Sequence, residues 1–463
     1  MALFILTTFG VFCIGAIVNP RWALALLLLM YPLEQALQGS VYYFRSHVSF
    51  ANYFIAAIVF TSLVIGGLRG KLRFAGYFNR IWYLVVLAFF YSFVSYLWTP
   101  SKETAWTLID AGAPYVIMYI IMAPLLVYDL KEWREALLIL MIFGLLIALA
   151  ILGAPDFTLR GGRLGFDFSA KVRSSPLAIG ELGGFLMLSG ALFANAGSKF
   201  WFLGIRVAVL ITGIVLSVYS GSRGQFLFAA FLAIVFFPMS KPIKDLKQFF
   251  LLALGGFGLL ILLVTVLSFL SEDQDIATRW LSGKNVAEAV EVRNANATEL
   301  IAAYVRSPSN WFIGLGLNAF TSVSGSLEPY SHSMFLDVLA EMGMIAFCLV
   351  CIWLWSIFRQ SLSLLRYAVS HPENRSAATV LVALSAYQLL LMNKQGELWT
   401  STHTVVYFLL LAKIVVGTLE TSEQDEVSDG GESSDDVYGA DDVVHTDDVV
   451  HTDDGAIETA SRS

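Results

Sequence analysis

Residues 135–152 read EALLILMIFGLLIALAIL, seventeen consecutive apolar positions behind a single Glu. A bilayer crossing needs about 20 mainly apolar residues in a helix. This stretch is therefore read as a transmembrane helix. It is one of a series, at about 2–18, 21–33, 50–67, 81–98, 107–127, 135–152, 176–195, 201–219, 225–239, 249–270, 333–357, 377–392 and 401–417. The reading is an all-α polytopic membrane protein with 12 or 13 transmembrane helices and one long external loop. The count is open at the start, where Asn19-Pro20-Arg21 interrupts a stretch barely long enough for two crossings. Residues 1–18 lack the basic n-region and small-residue cleavage site of a secretory signal and are read as a retained first span.

Composition agrees. Of 463 residues 57% are hydrophobic and 14% charged, against about 45–50% and about 25% in an average soluble domain. Mean hydropathy is +0.70. An ordinary water-soluble enzyme is excluded.

The net charge of −7 combines two unlike parts. Glu420 to Ser463 holds fifteen Asp and Glu against the single Arg462, so the body before it carries +7. Basic residues cluster in three loops, Arg69/Lys71/Arg73/Arg80, Lys241/Lys244/Lys247 and Arg359/Arg366/Arg375. The span order puts all three on one side, which the positive-inside rule makes cytoplasmic. Residues 153–175, the turn holding Arg223 and the segment 271–331 are then external.

The organisation expected is helices over 1–270, a long periplasmic loop over 271–332, C-terminal helices over 333–417 and a disordered acidic cytoplasmic tail over 418–463. The tail repeats Asp-Asp-Val-Val-His-Thr at 441–446 and 447–452. Such a composition cannot build a core.

Soluble-enzyme signatures are missing: no Walker A loop, complete GxGxxG, HExxH or GxSxG. Cys13, Cys348 and Cys351 lie in apolar runs and are read as packing residues. Asp273-Gln274-Asp275 has the DxD form that holds a metal in some sugar-nucleotide transferases, but three such residues arise easily by chance. No metal, cofactor or nucleic-acid partner is expected.

The informative residues stand at the external boundary. Tyr219-Ser-Gly-Ser-Arg223-Gly224 combines small residues, which allow close approach to a ligand, with a guanidinium fork suited to phosphate. The same Arg could simply snorkel from a helix end. Tyr330-Ser331-His332-Ser333 precedes the span at Met334; serines there are natural N-caps, and a neutral imidazole can accept a proton. Asp337 and Glu341, one turn apart in that span, should face the protein interior and orient or balance the site. The long loop contributes Arg279, Arg293 and Arg306, and a glycine-rich turn Gly314-Leu-Gly-Leu-Asn-Ala-Phe320.

In this order the features resemble the O-antigen ligase family and its relatives, the lipid-linked polysaccharide polymerases. The resemblance rests on Ser222-Arg223-Gly224, the loop Arg, the 314–320 turn, and His332 followed by Phe335-Leu336 and Leu339-Ala-Glu341-Met-Gly343-Met344. Arg160-Gly-Gly-Arg163-Leu-Gly, then Ser175-Pro-Leu-Ala178, is similar to the family's Arg-rich external loop. The match is clear over about 155–350. Ser333 stands where the family commonly has Asn, and Leu317 where Pro is frequent.

The resemblance implies a GT-C-like fold in the bacterial inner (cytoplasmic) membrane with its active site facing the periplasm. It implies a glycosyltransferase, independent of metal and ATP, that moves a glycan from undecaprenyl pyrophosphate to a sugar hydroxyl, the lipid A-core in a ligase. It makes Arg223, Arg293 and Arg163 pyrophosphate-binding, His332 the catalytic base, and Asp337, Glu341 and Arg279 supporting residues. Within the superfamily a polymerase remains open, as does a protein O-glycosylation enzyme. From another class, so does a small-anion transporter, with Glu181, Asp337 and Glu341 as its intramembrane acids.

Overall fold

The computed structural model describes residues 1–169, 172–194, 200–241, 245, 247–248, 250, 280, 283–324, 331–395 and 398–431. Among these, eight helices are long and apolar enough to cross a membrane, and three shorter apolar helices accompany them. The protein is an all-α polytopic membrane protein. The expected span at 249–270, apart from residue 250, lies outside the described residues, as do Arg279 and Asp273/Asp275.

The chain opens with α1 (Ala2–Val18), α2 (Pro20–Leu28), α3 (Met30–Ser40), α4 (Tyr42–Ser46), α5 (Phe50–Leu68), α6 (Arg80–Ser95) and α7 (Lys102–Val116). Asn19 caps α2 by accepting the Arg21 N–H at 3.0 Å, with Pro20 at the first helical position. The run expected as one span over 21–33 is thus two helices meeting at Leu29. Past Pro114, α7 widens into a π turn over Ile117–Met122 and tightens into a 3-10 turn over Ala123–Leu126. Proline supplies no N–H to the ladder, and the backbone re-registers around it.

Next come α8 (Leu130–Gly153), α9 (Pro176–Leu192), α10 (Phe200–Tyr219) and α11 (Arg223–Ser240). Between α8 and α9 the chain forms two small antiparallel pairs, β1 (Thr158–Arg160) with β2 (Arg163–Gly165) and β3 (Asp167–Ser169) with β4 (Val172–Arg173). Gly161 and Gly162 both have positive φ, 54° and 68°, which suits the two-residue turn between Arg160 and Arg163.

The remaining helices are α12 (Gly283–Tyr304), α13 (Pro308–Ile313), α14 (Phe320–Val323), α15 (Met334–Ser370), α16 (Pro372–Gln395) and α17 (Thr402–Gly431). Residues 1–419 form one compact unit; of the second, 420–463, the described residues 420–431 are helical, where the composition predicted no order from 418 onward. A helical start is compatible with the same composition, because Glu, Gln and Ser tolerate helix without needing a core.

Two packing features position the site. The first is the glycine face of α9. A Cβ at Gly183 would stand 2.7 Å from the Ser217 nitrogen, and one at Gly190 2.8 Å from that of Leu210. Bare glycines let α9 and α10 touch backbone to backbone, a packing mode on which membrane helices rely because lipid supplies no hydrophobic drive between them. The second is a break in α15 at Gly343, with φ 75° and ψ −178°. A short segment, 334–342, is thereby set off from the long helix that follows. In that left-handed region a side chain is strained. Here one would also strike the Phe312 carbonyl oxygen at 2.3 Å.

Candidate functional site

Arg223 opens α11 directly after the turn from α10, and Ser222 is its N-cap. The Ser222 hydroxyl is buried, at 7% exposure for the residue, and makes no hydrogen bond. Gln225, two residues on, donates to the Leu177 carbonyl at 2.9 Å and fastens the turn to α9. Trp280, the neighbour of Arg279, packs edge-on against Phe226 with centroids 5.8 Å apart. The long segment therefore enters its described part within one turn of Arg223.

Lys394, in the last turn of α16, reaches the same place. A Cβ at Gly224 would lie 2.6 Å from its Nζ, so the bare Gly224 backbone is what admits the ammonium. A cation is favoured at the C-terminal end of α16, and an anion at the N-terminal end of α11. Lys394 and the first turn of α11 thus gather positive potential beside the residue that follows Arg223. The adjacent Asn393 meets Ser333 across a 3.5 Å hydroxyl-to-amide-oxygen contact. His332 and Ser333 are joined in this way to the end of α16.

The sequence predicted serine caps before α15. Ser333 does hold the N-cap position, but its side chain makes no capping bond, because the hydroxyl turns to Asn393 instead. His332 has φ 68°, a backbone conformation uncommon for a residue with a side chain. Such strain persists where the surrounding structure holds it, and it collects at functional sites. Asp337, 4% exposed, accepts the Ser331 N–H at 3.3 Å and so fixes the strand of chain that carries His332.

Glu341 is buried, at 3% exposure, and holds backbone. Its two oxygens accept the N–H groups of Asn318 and Phe320, each at 3.0 Å. Its own carbonyl takes the Gly316 N–H at 2.7 Å, and the Ala340 carbonyl takes that of Leu315 at 2.9 Å. The carboxylate therefore clamps the 314–320 turn onto α15. On its other side the turn is held by Thr99, whose hydroxyl donates to the Leu317 carbonyl at 2.6 Å.

The remaining predicted arginines are dispersed. Arg163 is exposed on the hairpin following α8, paired in register with Arg160. Arg293 is exposed on α12, three residues before the buried Asn296 and seven before the buried Leu300. Those intervals put all three on one helix face. Leu300 packs with Phe320 and Ala340, so this is the face turned toward α15. Arg279 falls outside the described residues.

Sequence reasoning missed Lys394 and Asn393. A signal existed: in the inferred topology Lys394 ends its span on the side opposite the three basic loops, against the positive-inside trend. It also missed that Glu181, in α9, meets His403, in α17, at 3.3 Å, while Gln388 of α16 donates to the other Glu181 oxygen at 2.7 Å. Tyr31, Tyr119 and Tyr407 close a cavity of about 30 Å³ around them, room for about one water. Residues 388 and 394 stand six apart on one helix, about 9 Å by helical rise. Of the cysteines read as packing residues, Cys13 is buried, and Cys348 and Cys351 are exposed on the apolar helix α15. Among the described residues no group of three His, Cys, Asp or Glu could hold a metal.

Compared with models of known protein families and with curated proteins, the chain matches none of them.

Proposed function

We propose that this protein is an O-antigen ligase-like glycosyltransferase of the bacterial inner membrane. It moves a glycan from undecaprenyl pyrophosphate to a sugar hydroxyl on the periplasmic face, without metal or ATP. The observation that carries the reading is the meeting of Lys394 with Gly224 beside Arg223, at the start of α11 and next to the chain bearing His332. Displacing a glycan from a lipid pyrophosphate breaks the bond between its anomeric carbon and the phosphate oxygen. The electron pair departs with the pyrophosphate, and two cations at a helix N-terminus stabilise that charge. The acceptor oxygen forms the new bond, and its proton passes to His332. Direct displacement inverts the anomeric centre.

The test is transfer by purified protein in lipid, from undecaprenyl pyrophosphate glycan, with lipid A-core supplied or withheld. Product on lipid A-core marks a ligase. Longer lipid-linked glycan without that acceptor marks a polymerase of the same superfamily. His332→Ala is expected to lower transfer roughly 10²–10⁴-fold, the range for a positioned base. Full transfer by this variant at normal expression would remove the base role.

One observation favours a small-anion transporter instead, namely the Glu181–His403 pair beneath the cations. Ionisable groups buried among membrane helices mark transport pathways as well as catalytic sites. The transferase reading expects Glu181→Gln to keep glycan transfer within about threefold of the parent. It also expects no anion uptake by proteoliposomes of the parent protein. Uptake by the parent that Glu181→Gln abolishes would establish the transporter.

A further inference from the structure

At the other end of the helices, the turn from α5 to α6 encloses a second polar cavity. It measures about 210 Å³ and is lined by Asn19, Arg21, Lys71, Arg73, Tyr128 and Glu132 together with an apolar wall of Val18, Leu72, Leu125 and Leu126. Nothing in the transfer reaction uses it. It lies with the three basic loops on the side read as cytoplasmic.

The basic turn is built, not loose. The Lys71 N–H bonds the Gly66 carbonyl at 2.9 Å. The Leu72 side chain packs against Gly66, where an added Cβ would stand 3.2 Å from it. Lys413, 1% exposed on α17, donates its ammonium to the Arg73 carbonyl at 2.9 Å. A buried lysine is costly among membrane helices. Here it fixes the backbone from which Arg73 projects. The Arg73 guanidinium lies 4.9 Å from the centre of the Tyr128 ring.

The charges around the cavity divide into two sets. Arg21 is spoken for, bonded to Glu132 at 3.2 Å and also to Glu135. Lys71 and Arg73 meet no carboxylate among the described residues. Two cations without an acidic partner therefore border a cavity that also presents apolar side chains, and the carboxylate in its lining, Glu132, is engaged by Arg21. A free inorganic anion would gain from the cations alone. A phospholipid gains from both, its phosphate at Lys71 and Arg73 and its upper acyl chain against Val18, Leu125 and Leu126.

We infer that the cavity between α2, the α5–α6 turn and the start of α8 binds the phosphate headgroup of an anionic phospholipid of the cytoplasmic leaflet.

The experiment uses the full chain, purified in detergent and titrated with phosphatidylglycerol, phosphatidylcholine or inorganic phosphate, with bound lipid read by native mass spectrometry. Each cation near an anionic headgroup contributes about fivefold in affinity, so Lys71→Gln with Arg73→Gln is expected to weaken phosphatidylglycerol binding roughly 30-fold. A control pair, Arg69→Gln with Arg80→Gln, removes the same charge from the same loop outside the cavity lining. It is expected to change binding less than about threefold. An equal fall in both pairs would mean general attraction to a basic surface and overturn the site. So would phosphatidylcholine binding as tightly as phosphatidylglycerol, or no loss in the cavity pair. Displacement of the lipid by millimolar inorganic phosphate would show that the cations alone bind, and would overturn the lipid assignment.

Discussion

Arg223→Ala is expected to lower glycan transfer by roughly 10²–10³-fold, the effect of removing one donor aimed at transition-state charge. Lys394→Ala should act in the same direction, since its ammonium stands at the same helix start. The double variant should fall short of the product of the two, because neighbouring groups that hold one ligand couple. Arg223→Lys is the informative companion. It keeps the charge and loses the planar fork, so retained activity would mean a simple electrostatic role and lost activity a bidentate one. Transfer rates at saturating donor, with expression and melting temperature measured alongside, decide the matter. Parent-level transfer by Arg223→Ala would remove the cation site from the mechanism.

Glu341→Ala is expected to cost stability first, and activity through it. The change strands the N–H groups of Asn318 and Phe320, which lie in a buried turn. Each stranded group costs about 1–3 kcal/mol, so the protein should lose several kcal/mol and melt well below the parent in detergent. Glu341→Gln leaves one acceptor oxygen in place and should fall between the two. Gly343→Ala should fail in the same region for a different reason. Its Cβ would meet the Phe312 carbonyl in a backbone conformation that already disfavours side chains. A Glu341→Ala protein that melts like the parent yet cannot transfer would return Glu341 to the chemistry.

These two residues show how far the sequence reaches. Arg223 was legible because its neighbours are small and its place between two apolar runs is a boundary wherever the helices pack. Glu341 was legible only as an acid at membrane depth. Its hold on the backbone N–H groups of Asn318 and Phe320, some twenty residues earlier, was not legible, because backbone donors leave no mark in composition. Lys394 was passed over because a lysine ending a helix is ordinary until Gly224 lies against it.

The sequence by itself determined that the chain is a bundle of membrane helices, since hydrocarbon leaves backbone groups no partner outside the helix and apolar length alone then sets the spans. It also placed Arg223 and His332 at span boundaries. Tertiary structure alone decided that α10–α11, α15 and the end of α16 converge, that Glu181 meets His403, and that α15 breaks at Gly343. Those outcomes depend on which faces touch, and contact between helices distant in sequence is fixed by shape complementarity and hydrogen bonds, not by any local pattern of residues.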